Sequence, residues 1–78
     1  MEQKSAKMIK FEELAERRMN EALNKIRLVG NLSNTGNYEY SESHARQIIS
    51  TLKSAVRDVE HRFVNRGRAE KDAFKFKL

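Results

Sequence analysis

Two rows of apolar residues, spaced alternately by four and three, constrain this chain more than anything else in it. The first runs Ala15, Met19, Ala22, Ile26 and Val29, extended backwards by Met8 and widened by Phe11, Leu14 and Leu23. The second runs Ala45, Ile49, Leu52, Val56, Val59 and Phe63, broadened by Ile48 and Ala55. Such spacing returns side chains to one face of an α-helix and approaches the seam of a heptad repeat. From Ser5 to Val29 there is no Gly or Pro, and the segment is rich in good helix formers. The pattern predicts a helix over about 5–29, a loop over 30–40, a second helix over about 41–66 and a tail over 67–78.

Punctuation residues agree with these limits. Gly30 follows the first row and suits the left-handed position that closes a helix. Ser41 or Ser43 can cap the second helix, and Glu42 favours the positive end of its dipole. Arg62 and Arg66 fall in its expected last turns, with Gly67 as a stop. Glu13 with Arg17, and Glu21 with Lys25, are i,i+4 pairs in the favourable order and mark a solvated face.

The expected fold class is therefore all-α: an antiparallel helical hairpin of two long amphipathic helices. With 78 residues and no Cys, the chain has one small domain and no disulfide to staple it. Each stripe is wider than a single seam, so a lone hairpin leaves part of it wet. Pairing two hairpins into a dimeric four-helix bundle covers both stripes, and a homodimer is the expectation. The competing arrangement is a monomer with the loop or tail folded back as a third layer. The basic tail alternates Phe74, Phe76 and Leu78 with Lys75 and Lys77, a strand-like period in which Phe74 and Phe76 are candidate contacts for a partner. Disorder is its plainer reading.

No apolar run approaches a membrane span, and "MEQKSAKMIK" lacks the apolar core of a signal peptide. A cytoplasmic protein with no membrane partner is expected. Catalysis is not. No Cys nucleophile, GxSxG turn or phosphate-cradling loop is present, since "GNLSNTG" lacks the Lys-Ser/Thr ending. His44 and His61 would stand on the order of 25 Å apart along one helix at 1.5 Å per residue. Glu12 and Glu16 share a helix face but lack the Glu-x-x-His partner of a di-iron bundle. No metal and no cofactor is expected.

Sixteen basic against eleven acidic residues give a formal charge of +5. That favours encounter with polyanions or acidic protein surfaces without choosing between them. The candidate binding residues fall in two groups. Around the loop stand Lys25 and Arg27 before it, Asn34, Tyr38 and Tyr40 within it, and Arg46 after it. Tyr rings can stack on bases or anchor a protein, and Asn and Arg can hold phosphates or base edges. The plainer reading is that Asn31, Asn34, Asn37 and Ser33 simply build turns, with Asn tolerating left-handed backbone. On the second helix Arg46, Lys53 and Arg57 are spaced seven and four and share a side. A solvated helix face is the plainer reading there.

The stretch "RRMNEALNKIRLVGNLSNTGNYEYSE" fits the pattern R-x-N-x-A-L-x-x-I-R-L-x-G-N-L-S-N followed by aromatic-x-aromatic-Ser/Thr. In this it resembles a group of short bacterial proteins of mobile-element type. The resemblance covers 26 of the 78 residues. It implies that Arg27 to Tyr40 is a recurring unit, and it carries over no catalytic or binding residue. Two functions follow as expectations. One is a small, basic, non-catalytic helical protein that binds nucleic acid. The other is a protein-interaction module, an adaptor or inhibitor of a larger host or mobile-element complex.

Overall fold

The computed structural model describes residues 4–66. The tail over 67–78, with Phe74 and Phe76, lies outside the described residues. Among these residues the structure is two α-helices, α1 (Ala6–Asn31) and α2 (Glu42–Val64). The chain divides into two units, Met1–Glu39 and Tyr40–Leu78, with α1 in the first and α2 in the second.

In the first unit Ser5 is extended at φ −68°, ψ 161°, and its Oγ accepts from the Met8 backbone N–H at 3.1 Å. One of the free donors of the first turn is thereby satisfied. Just ahead, Lys4 Nζ reaches across two turns to Glu12, at 2.8 Å from Oε1 and 3.0 Å from Oε2. The ion pair joins the residue before the cap to the body of the helix.

Gly30 does not close α1 as expected. The helix runs through it to Asn31, and the capping residue Leu32 keeps a right-handed backbone at φ −67°, ψ −12°. Tighter bonds replace the left-handed turn. Leu32 N–H donates to the Val29 carbonyl and Ser33 N–H to that of Gly30, both at 3.1 Å. Bonds of this i→i+3 kind satisfy the last carbonyls without a glycine in the left-handed region.

In the second unit Ser41 caps α2, as one of the two serines was expected to do. Its Oγ accepts from His44 N–H at 3.1 Å, and its own backbone N–H donates to His44 Nδ1 at 3.0 Å. This is a reciprocal capping box with His in the place usually held by Glu or Gln. Glu42 lies in the first turn and pairs with Arg46 at 3.6 Å. The far end stops earlier than the sequence predicts. Asn65 caps it, its N–H donating to the His61 carbonyl at 2.9 Å, and Arg66 turns left-handed at φ 59°. Arg62 is in the last turn, whereas Arg66 lies beyond the helix in the position that Gly67 was expected to serve.

Neither helix contains a buried residue. Leu14, Ala15 and Val29 in α1, and Ala45 and Leu52 in α2, are the half-buried members of the two stripes. The larger side chains stay open to solvent: Met19 is 55% exposed, Ile26 45%, and Val56 and Phe63 64% each. The amphipathic pattern is thus realised as two helices, each with an uncovered apolar face. The ion pairs that close, Lys4–Glu12 and Glu42–Arg46, are not the Glu13–Arg17 and Glu21–Lys25 pairs expected from spacing.

Candidate functional site

The loop is built by one residue. Asn34 Oδ1 accepts from Gly36 N–H at 2.9 Å, the two-residues-on bond typical of an Asn turn. The Asn34 carbonyl then accepts from Asn37 N–H at 3.1 Å and from Tyr38 N–H at 3.0 Å. Its own N–H donates to the Asn31 carbonyl at 3.3 Å, tying the turn back to the end of α1. A Cβ placed on Gly36 would stand 3.1 Å from Asn34 Oδ1, so the residue opposite that oxygen is best left small. No loop residue uses a left-handed backbone, because Arg66 is the positive-φ non-Gly position among the described residues and Gly36 is not left-handed either. Turn formation therefore occupies Asn34, one of the candidate binding residues, through both its side-chain and its main-chain oxygen.

The two Tyr fall in different units. Tyr38 ends the Asn34 turn and is 50% exposed; Tyr40 stands just before the α2 cap and is 41% exposed. Their rings present surface to solvent within their own units. Of the two basic residues preceding the loop, Arg27 Nη1 donates to Asn24 Oδ1 at 3.1 Å. At roughly 100° per residue, Lys25 and Arg27 leave α1 in nearly opposite directions. They do not form a patch with each other.

On α2 the sequence spacing holds. Arg46, Lys53 and Arg57 lie within a roughly 40° arc of the helix at 100° per residue, along the edge of the apolar stripe. Arg46 is partly engaged by Glu42. The opposite, polar face is stitched by its own side chains: Gln47 Nε2 donates to Ser43 Oγ at 3.1 Å, and Thr51 Oγ1 to the Gln47 carbonyl at 2.8 Å. Between them lies a shallow, open depression lined by Ser43, Arg46, Gln47, Ser50 and Thr51. It is polar and wide to solvent, without the apolar enclosure that holds a small ligand.

Among the described residues no three His, Asp or Glu side chains gather as a metal site. No described helix is long and apolar enough to cross a membrane. What the arrangement offers is surface: two uncovered apolar stripes, a basic row bordering one of them, and an ordered Asn34 turn. His44 is the participant that sequence reasoning weighed only for catalysis and metal binding. Its position three after Ser41 was a usable signal, hidden because a capping box is ordinarily sought with Glu or Gln. No protein-family model, curated protein or solved structure matches the chain.

Proposed function

We propose that this chain is a non-catalytic helical interaction module that works as a homodimer, two hairpins completing each other as a four-helix bundle. One observation carries the reading: Met19, Ile26, Ile49, Val56 and Phe63 of the two stripes stay exposed and neither helix has a buried residue. Covering a Leu, Ile, Val, Met or Phe side chain is worth about 1.5–3 kcal/mol. Helices in proteins draw most of their stability from such cover. A second copy supplies stripes of the same four-and-three spacing on helices of matching length, 26 and 23 residues. Light scattering on the full chain tests it. A mass of two chains is expected for wild type, and a single chain for Met19→Glu and Val56→Glu. A wild-type monomer would defeat the proposal.

Nucleic-acid binding is the second reading, and the row Arg46, Lys53 and Arg57 favours it. Lying at the border of the stripe, the row would sit on the rim of a bundle and be doubled by dimerisation. Anisotropy titrations with labelled single- and double-stranded DNA and RNA should then show affinity that falls steeply with salt, as counterions are released. Changing all three residues to Glu should abolish binding. Affinity indifferent to salt, or to the three changes, would remove this reading and leave a protein partner.

A further inference from the structure

We infer that the start of α2 is a pH-sensitive segment, with His44 as its proton-responsive element. The hydrogen-bond geometry points to one tautomer of the neutral ring. Ser41 N–H donates to His44 Nδ1 at 3.0 Å, so Nδ1 carries a lone pair and the proton of the neutral ring is on Nε2. A Glu or Gln in that position accepts through a side-chain oxygen whatever the state of a neighbouring imidazole. A His accepts only while neutral.

Protonation at Nδ1 replaces the acceptor with a second donor pointed at the Ser41 N–H. One of the two reciprocal bonds is lost; the other, His44 N–H to Ser41 Oγ at 3.1 Å, involves no titrating group. The new positive charge stands in the first turn, where the helix dipole already presents its positive end. Both effects act in the same direction. The cap's contribution is present where the imidazole is neutral and is lost as acidification protonates it.

The charged groups nearest His44 in sequence are Glu39, Glu42 and Arg46. Glu42 and Arg46 flank it on α2, and they are turned to each other at 3.6 Å. Each is two residues from His44, a spacing that does not place side chains face to face on a helix. Glu39 precedes the cap in sequence and belongs to the other unit. Among the described residues α2 is the sole helix of its own unit. Glu42, at the positive end of the dipole, is common to every variant below.

The segment that responds runs from Ser41 to Ala45. Its loosening would reach the first residue of the second stripe, Ala45. The inference does not depend on dimerisation, because both hydrogen bonds lie within one turn of one chain.

The test is NMR on the full, isotopically labelled chain at one concentration, from about pH 8 to about pH 5. Imidazole nitrogen shifts should show Nε2–H and bare Nδ1 in His44 at the alkaline end. On acidification the helical Cα shifts over Glu42–Ala45 should fall towards coil, with local opening about fivefold greater. H44Q keeps an acceptor at every pH, so its first turn should hold throughout. H61Q should respond like wild type. A wild-type first turn that is constant with pH would overturn the inference. So would a proton on Nδ1 at the alkaline end, or an H44Q protein that loosens as much as wild type.

Discussion

The two helices differ at their ends and agree on their faces. α2 opens with a two-way cap and an acidic residue, and closes with His61 and Arg62 in its last turn. α1 has a one-way cap at Ser5, no acidic residue in its first turn and no basic residue in its last. Charge at α2 is therefore matched to the helix dipole at both ends, and at α1 to neither. What α1 has instead is the Asn34 turn, which gathers the chain directly after its last residues. The comparison separates two tasks. Local hydrogen bonds and charges decide where each helix begins and stops. The apolar faces, uncovered in both, decide whether the helices persist.

The largest effect should come from the faces and should ignore the difference in ends. Met19→Glu in α1 and Val56→Glu in α2 are each expected to remove about 2 kcal/mol or more of association free energy, because each loses the burial of one large side chain and adds a charge. Sedimentation equilibrium measures this directly. If one substitution dissociates the protein and the other is silent, only one stripe is an interface.

Substitution of the caps should separate the helices. Ser41→Ala and Ser5→Ala are each expected to cost about 1 kcal/mol, since each removes one side-chain acceptor of a first-turn N–H, while the Ser41 N–H to His44 Nδ1 bond survives the first change and nothing comparable supports the second. Thermal denaturation gives the losses, and residue-resolved hydrogen exchange shows which helix frays. Fraying of α2 in Ser41→Ala as deep as that of α1 in Ser5→Ala would mean that the surviving bond to His44 Nδ1 does not hold the first turn.

Asn34→Ala should cost about 1 kcal/mol, by leaving the Gly36 N–H without its acceptor. Exchange at Gly36 should quicken while that at Asn37 and Tyr38, bound to the Asn34 carbonyl, changes less. The smallest change should be a gain. Arg66→Gly relieves a left-handed non-Gly residue and is expected to stabilise the end of α2 by up to about 1 kcal/mol. A loss there would mean that the Arg66 side chain contributes more than its backbone costs.

Apolar spacing alone located both helices, because a four-and-three repeat of Ala, Ile, Leu, Val, Met and Phe has no other regular conformation that gathers it on one face. Their ends were less legible. Ser41 was readable because its oxygen suits a cap, but its partner His44 was not, being an unusual third member of the box. Gly30 misled for a physical reason. A glycine after an apolar row ordinarily takes the left-handed position, yet bonds from Leu32 and Ser33 closed the turn with right-handed backbone. Arg66 carries the converse lesson, as a side chain with no preference for positive φ occupies it. Among the candidate binding residues, the Arg46, Lys53 and Arg57 row followed from helical geometry. Proximity in sequence did not group Lys25 with Arg27, because two residues along a helix is more than half a turn.

The measurement that tests the account most directly is a dilution series of the full chain, followed by far-ultraviolet circular dichroism and sedimentation on the same samples. If the uncovered faces depend on a second copy, helix content and mass should fall together as the dimer dissociates. A monomer that stays fully helical at every concentration would contradict the account, because its helices would then persist without a second copy.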